Sequence, residues 1–298
     1  MPKMTDAQTA AVVDFERNQD LMFGVAYRVL GSVADAEDVV QESWLRWNRV
    51  ESSQVGDPRS YLVQISARLA VDRLRRAKAS GEEYLGPWLP EPLSATGDAM
   101  ECAELSESVS MAMLVVLETL SPLERVTFVL REAFEFSFAE IADIIGRSEP
   151  AVRQLFRRAR LHVRERRPRF RDDRGVRKHV TERFMAACLG SDIDALLEVL
   201  APEVTLWRDA NGRRGLSRSP VQGAREVGRV LVSCARNFTA SPALDGSMVH
   251  LNGGPAALIT VAGELVGLVV VDVDAARRRV TQVWLIATTD LPRLSSTL

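Results

Sequence analysis

Cysteine and histidine are scarce in this chain, and each shortage removes a class of chemistry. Cys102, Cys188 and Cys234 are odd in number and far apart. They form neither a disulfide framework nor a metal-ligand pattern, and they read as reduced core residues of a cytoplasmic protein. His162, His179 and His250 are scattered, so no metal cluster is expected, and no cofactor motif accompanies them. A long unbroken apolar run is also lacking. The most apolar segment, PAALITVAGELVGLVVVDVD, is interrupted by Glu264 and several glycines and is rich in valine. It reads as buried strands, so no membrane partner is expected. The opening residues MPKMTDAQTA carry no signal-peptide pattern. At 298 residues, 46% of them hydrophobic, the chain has room for two domains or three small ones with buried cores.

Net charge is nearly absent too, at −2, but the charge is sorted along the chain. Residues 101–150 are acidic and the last third is nearly balanced. Between them, residues 151–171 carry Arg153, Arg157, Arg158, Arg160, Arg164, Arg166, Arg167, Arg169 and Arg171 against Glu165 alone. A local basic block in a near-neutral chain implies one nucleic-acid face.

The stretch leading into that block has the grammar of two short helices. Ser137 and Glu140 form a capping box, and Phe138, Ile141, Ala142 and Ile145 then recur on one helical face. Gly146 stops this helix, Ser148 caps the next, and Glu149 and Pro150 suit its first turn. Val152, Leu155, Phe156, Ala159 and Val163 fall on one side of the second helix. Arg153, Arg157, Arg160 and Arg164 line the other, with Gln154 and Arg158 beside them. The pattern describes a DNA-reading helix-turn-helix, and the charge weighs against a merely solvated helical hairpin. Leu161 stands among the arginines, where a thymine methyl or a packed tail would explain it.

The first block, to about residue 79, is also helical. Phe15, Met22, Val25, Ala26, Val29 and Leu30 form a stripe ending at Gly31, and Ser32 with Asp35 caps the next helix. There Val33, Ala36, Val40, Ser43, Trp44 and Trp47 share one side, while Asp35, Glu37, Asp38, Gln41, Glu42 and Arg46 share the other, with Leu45 in their midst. Periodicity alone leaves two readings open. One is a solvated face with pairs such as Glu42–Arg46; the other is a protein-docking face with an apolar anchor. Asp57 and Pro58 start a third helix. It interleaves Tyr61, Leu62, Ile65, Leu69 and Leu74 with Arg59, Arg68, Arg73, Arg75, Arg76 and Lys78, a second nucleic-acid face. Asp72 is placed to hold Arg68 or Arg76.

These elements in this order, DAEDVVQE, DRLRR and the distal helix-turn-helix, resemble the sigma-70 family. More narrowly, they resemble the extracytoplasmic-function sigma factors, which keep regions 2 and 4. Residues 15–79 are similar to region 2 and residues 105–167 to region 4. The resemblance implies an alternative sigma factor, not an enzyme, whose partners are RNA polymerase core and promoter DNA. Asp35, Asp38, Gln41, Glu42 and Leu45 would dock on polymerase. Tyr61 to Arg76, with Arg68, Arg73 and Arg75, would hold the −10 element. The helix from Ser148, with Arg153, Gln154, Arg157, Arg158, Arg160 and Arg164, would read the −35 element.

Residues 80–104 read as a linker, rich in glycine, proline and serine, in which Trp88, Leu89 and Pro90 want a surface to bury against. Their WLPEP sequence resembles that of a SigJ-like subgroup with an extra C-terminal domain. Met113, Leu114, Leu117 and Leu120, then Pro122 with Val126, Val129, Leu130 and Phe134, supply helices that support the DNA reader. The expected domains are therefore 1–79, 105–172 and 173–298. The last reads as two helices, the second capped by Ser191 or Asp192, then a strand VTLWRD, a helix and further strands. This is an α+β domain with a curled antiparallel sheet, similar to the SnoaL-like cone fold. Other cone-fold members hold small ligands or carry out acid–base chemistry, so a small-molecule ligand is an expectation here. The subgroup's loop motif survives in part as Asp209 to Arg213, and its tail motif poorly around Asp290. With Trp88, Leu89 and Pro90, those residues are the expected interdomain contacts. Asp209, His250 and Asp290 are the available acid–base groups and form no recognised catalytic constellation. The competing readings are a ligand-sensing helix-turn-helix repressor and, behind it, a fused isomerase or cyclase.

Overall fold

Helix α1 (Asp6–Leu30) ends where Gly31 takes a left-handed φ of 74° and its N–H bonds to the Tyr27 carbonyl. The computed structural model describes residues 6–50, 55–79, 111–166, 174–208, 220–239, 244–252 and 254–287. Helix α2 (Val33–Trp47) is capped as the sequence predicts, with the Ser32 hydroxyl accepting from the Asp35 N–H at 3.2 Å. Helix α3 (Pro58–Ala79) follows, with the Asp57 carboxylate accepting from the Arg59 N–H. Ala11, Phe15, Met22, Val40, Trp47 and Leu62 form a core among the three, and the Trp47 indole donates to the Ala11 carbonyl at 2.8 Å. Ser43 and Ser66, 3.1 Å apart, let α2 and α3 approach closely and satisfy each other in the interior. Val39 joins the buried face of α2, whereas Trp44, placed on that face by periodicity, is only half-buried.

Helices α4 (Met111–Glu118), α5 (Pro122–Glu132), α6 (Phe138–Ile145) and α7 (Glu149–Arg166) build the second helical block. Capping boxes open α5 (Ser121–Glu124) and α6 (Ser137–Glu140). On α6 the buried residues are Ile141, Ala142 and Ile144. Ile145, which the sequence pattern chose, is half-buried. The two helical blocks, expected as separate domains, belong to one compact unit, Met1–Glu82 with Leu114–Arg167. Arg125, 1% exposed, joins them: its guanidinium lies 2.6 Å from Glu118 and its Nε donates to the Arg28 carbonyl at 3.0 Å. Arg28 lies over the Phe134 ring, and burial lowers its pKa to about 10, which leaves it charged at neutral pH.

The other unit contains helices α8 (Arg174–Leu189), α9 (Ile193–Val199) and α10 (Ala224–Thr239). Its strands are β1 (Leu200–Arg208), β2 (Val221–Gln222), β3 (Leu244–Leu251), β4 (Gly254–Val261), β5 (Glu264–Asp274) and β6 (Arg279–Ala287). Asp192, not Ser191, caps α9. The sheet order is β2-β1-β6-β5-β4-β3. One expectation is corrected here: the sheet is mixed, because β1 pairs parallel with β6 while its other pairings are antiparallel. Side-chain alternation carries no information about strand direction, so the sequence could not reveal this.

Val180, Phe184, Leu196, Leu206, Val227 and Val283 are among the residues packed between helices and sheet. The opposite sheet face is apolar as well. Trp284, Val270 and Ala256 form one cross-strand row, Ile286, Leu268 and Leu258 the next, and all six are buried. Burial on both faces explains why this stretch reads as a near-continuous apolar run instead of a clean alternation. Ala262 and Gly263, both at positive φ, make the tight β4–β5 turn.

Candidate nucleic-acid and protein interfaces

The helix-turn-helix is set up by local chemistry. The Ser137 hydroxyl accepts from the Glu140 N–H at 3.2 Å, and the Glu140 carboxylate accepts from the Ser137 N–H at 2.7 Å. The Ser137 hydrogen bonds hold the Glu140 carboxyl below its usual range. At the turn Gly146 adopts φ 63°, ψ 48°, where a side chain would be strained. Helix α7 then buries Val152, Leu155, Ala159 and Val163, and Phe156 meets the Phe128 and Phe138 rings.

All the α7 residues expected to face DNA are exposed: Arg153, Gln154, Arg157, Arg158, Arg160 and Arg164, with Leu161 among them. They are not equivalent. Arg153 is forked onto Glu149 and lies 4.6 Å from the Phe138 ring centroid. The Arg158 Nε lies 3.1 Å from the Glu124 carboxylate. Burial pushes that carboxyl up, but the Ser121 hydrogen bonds and the Arg158 charge outweigh it and hold it below the usual range. No ion pair among the described residues engages Arg157, Arg160 or Arg164, which leaves these three guanidinium groups for phosphates or base edges.

Helix α3 divides its cations in the same way. Arg75 and Arg76 are exposed, whereas Arg73 turns toward the carboxylates of α2. Arg68 donates through Nε to the Ile144 carbonyl at 3.1 Å, and Gln64 donates to the Asp143 carbonyl at 2.7 Å. Both satisfy carbonyls at the C-terminal end of α6 that have no partner within that helix. Arg59 lies over the Phe136 ring. Asp72 holds neither Arg68 nor Arg76 through its carboxylate, as the sequence suggested. Its carboxylate lies 3.8 Å from Arg75, and Arg76 bonds to its backbone carbonyl instead.

The α2 face carries Asp35, Asp38, Gln41 and Glu42, with Leu45 59% exposed among them. The pair Glu42–Arg46 forms at 2.8 Å. Beside Leu45 a groove of about 510 Å³ opens between α1 and α2, lined by Val12, Phe15, Glu16, Gln19, Val40, Gln41, Trp44 and Leu45. Trp44, edge-on to Phe15, is half-buried because it forms part of this groove. An apolar groove with an exposed leucine at a charged rim has the make-up of a protein-docking site. Sequence periodicity missed it because half its lining comes from α1.

In the sheet unit the Trp207 indole donates to Gln282 at 3.0 Å, and Arg177 pairs with buried Asp272 at 3.3 Å. Trp88, Leu89, Pro90, Asp209, Arg213 and Asp290 lie outside the described residues, as does the side chain of His250. Among the described residues no group of His, Cys, Asp and Glu is arranged to hold a metal ion, and no helix is long and apolar enough to cross a membrane.

Comparison with known proteins gives each of the two helical blocks a family. Residues 15–80 match the sigma-70 region 2 family, and residues 110–163 match sigma-70 region 4. The ECF RNA polymerase sigma factor SigJ of Mycobacterium tuberculosis is 39% identical over 79% of this chain and 76% of its own length. The probable ECF RNA polymerase sigma factor SigI of the same species is 32% identical over 85% of each chain. The crystal structure of M. tuberculosis SigJ superposes with a TM-score of 0.73 at 32% identity, covering 94% of this chain and 99% of the other. The two helical blocks thus define a sigma-70-type protein. The chain belongs to the extracytoplasmic-function sigma factors and is an alternative sigma factor with a C-terminal helix-and-sheet domain.

Proposed function

We propose that this chain brings RNA polymerase core to a narrow promoter set. It docks through Asp35, Asp38, Gln41, Glu42 and Leu45, holds the −10 element with α3, and reads the −35 element with α7. The observation that carries this reading is the pairing, within one unit, of the Leu45 groove between α1 and α2 with an exposed arginine face on α7, three of whose guanidinium groups have no ion pair among the described residues. In vitro transcription with core polymerase and genomic promoter fragments tests it. Promoter-dependent initiation is expected. A chain that binds operator DNA tightly alone and never supports initiation would return the repressor reading.

The reading extends to the C-terminal unit, which sets sigma activity in cis. Its second apolar sheet face, around Trp284, Val270 and Leu268, supports this, because along β5 and β6 those residues alternate with Val269, Val271 and Val283, which pack beneath the unit's own helices. The linker segment containing Trp88, Leu89 and Pro90 is the proposed contact, and tethering lets a weak contact act at high effective concentration. Asp209, Arg213 and Asp290 belong to the same proposed contact. A small molecule bound in the C-terminal unit would shift the same balance. Deleting everything after Arg174 is expected to change promoter activity strongly. Unchanged activity would remove the cis role and leave the sigma assignment standing.

A further inference from the structure

The acidic face of α2 is not free-standing. Arg73 reaches it from α3: Nη1 lies 3.3 Å from Asp35 Oδ1 and 3.3 Å from Asp38 Oδ2, and Nη2 lies 3.8 Å from Glu42 Oε2. Nη1 also donates to the Asp35 backbone carbonyl at 3.3 Å. The Arg73 side chain is 22% exposed, whereas Arg75, two positions on, is 51% exposed. Its three carboxylate partners stay open to solvent, between 37% and 61% exposed.

We propose that Arg73 is a positioning residue of the protein-docking face, not a promoter contact. It gathers Asp35, Asp38 and Glu42 into one ordered array for the basic groups of the polymerase. The proposal rests on the docking role given to α2 above. Asp35, Asp38 and Glu42 fall at i, i+3 and i+7 on one helical stripe, where like charges repel and would scatter over rotamers. A guanidinium has five donors in a planar fork and can meet several acceptors at once; a lysine ammonium is a point charge and meets fewer in fixed geometry. A partner that docks on carboxylates already ordered loses less side-chain freedom on binding. One effect opposes this. Removing Arg73 makes the face more negative and strengthens long-range attraction to a basic partner. At physiological ionic strength that attraction is screened beyond about 8 Å, so the loss of order decides.

The test uses the full chain and core polymerase. Arg73→Ala is expected to weaken core binding about fivefold, with the thermal midpoint and the free chain's affinity for promoter DNA unchanged. Arg73→Lys is expected to fall between wild type and Arg73→Ala. In an Asp35→Asn/Asp38→Asn/Glu42→Gln background, already weakened for core, Arg73→Ala is expected to add nothing. If that background binds core like wild type, the docking assignment itself is lost. If the background is weakened but Arg73→Ala alone binds core as well as or better than wild type, only the positioning role is lost. Weaker DNA binding by free Arg73→Ala, with a flatter salt dependence, would make Arg73 a phosphate contact and overturn the proposal. Should Arg73→Ala lower the thermal midpoint, Arg73→Lys decides: weaker core binding at the wild-type midpoint supports positioning, and wild-type affinity overturns it.

Discussion

At the scale of single residues, the caps are where sequence and structure coincide most closely, because a cap needs only the chemistry of four adjacent residues. Ser32 and Ser137 cap as their spacing to Asp35 and Glu140 predicts, and Ser121, which the sequence reading passed over in favour of Pro122, forms a further capping box with Glu124. Ser137→Ala is therefore expected to cost about 1 kcal/mol, read as a lower denaturation midpoint with an unchanged slope. Glu124 adds a pH dependence whose sign is fixed. Its carboxyl is held below the usual range in the folded protein. Its contribution is thus fully present above the unfolded value of about 4.3 and is lost as pH falls through the lower folded value. Glu124→Gln should be less stable at neutral pH and should show a shallower acid limb in pH-dependent unfolding. The cysteines are legible only in part. Burial pushes the Cys188 thiol up to about 12 and raises Cys234 too. Both should resist a thiol reagent at pH 8 in the folded protein and react once it is unfolded, as followed by mass spectrometry. Rapid native labelling of Cys188 would mean that the core beneath α8 opens.

At the scale of elements, periodicity identified the buried faces of α2 and α7 well but could not say which exposed residues were already engaged. Arg158 is as exposed to sequence reasoning as Arg157, yet its carboxylate partner Glu124 lies in another helix. That contact has no local signature. The distinction should be visible in binding. Arg157→Ala is expected to lose about 1–3 kcal/mol of discrimination at one position of the −35 element, if it meets a guanine edge. Arg158→Ala should leave the sequence preference intact and lower the thermal midpoint. Arg160→Ala and Arg164→Ala, acting on phosphates, should weaken all sequences alike and reduce the salt slope by about one each. Identical behaviour of all four across promoter variants would remove the division between readers and positioners. In the sheet unit, strand positions from β3 to β6 were legible from valine-rich apolar runs and the turn residues between them. The parallel β1–β6 pairing was not, because it joins strands some eighty residues apart (Leu206 with Val283) and alternation has no direction.

At the scale of the whole molecule, the sequence divided the two DNA-binding blocks into separate domains, and the structure places them in one unit. The contacts responsible explain why this was not legible. Gln64 and Arg68 bond to backbone carbonyls 79 and 76 residues away, and backbone acceptors leave no mark on a sequence. The arrangement also has a consequence for promoter binding. Elements named for positions −10 and −35 are centred about 25 base pairs apart, or about 85 Å along B-form DNA. Helix α3, with 22 residues, is only about 33 Å long, and it touches the first helix of the helix-turn-helix directly. A chain engaging both elements as proposed above must therefore separate α3 from α6, and that reading requires of the unit a second, open arrangement favoured by polymerase and promoter. The junction suits such opening. Gln64, Arg68 and Arg59 meet two carbonyls and an aromatic ring, and water or DNA phosphates can replace those partners. Cysteines at Gln64 and Asp143, joined by a short bis-maleimide in a Cys102→Ser background, should hold the unit closed. The uncoupled double variant is expected to initiate from a promoter with both elements, and the coupled one is expected to lose that activity. If the coupled chain initiates as well as the uncoupled one, both elements are read without parting α3 from α6, and the open arrangement is unnecessary.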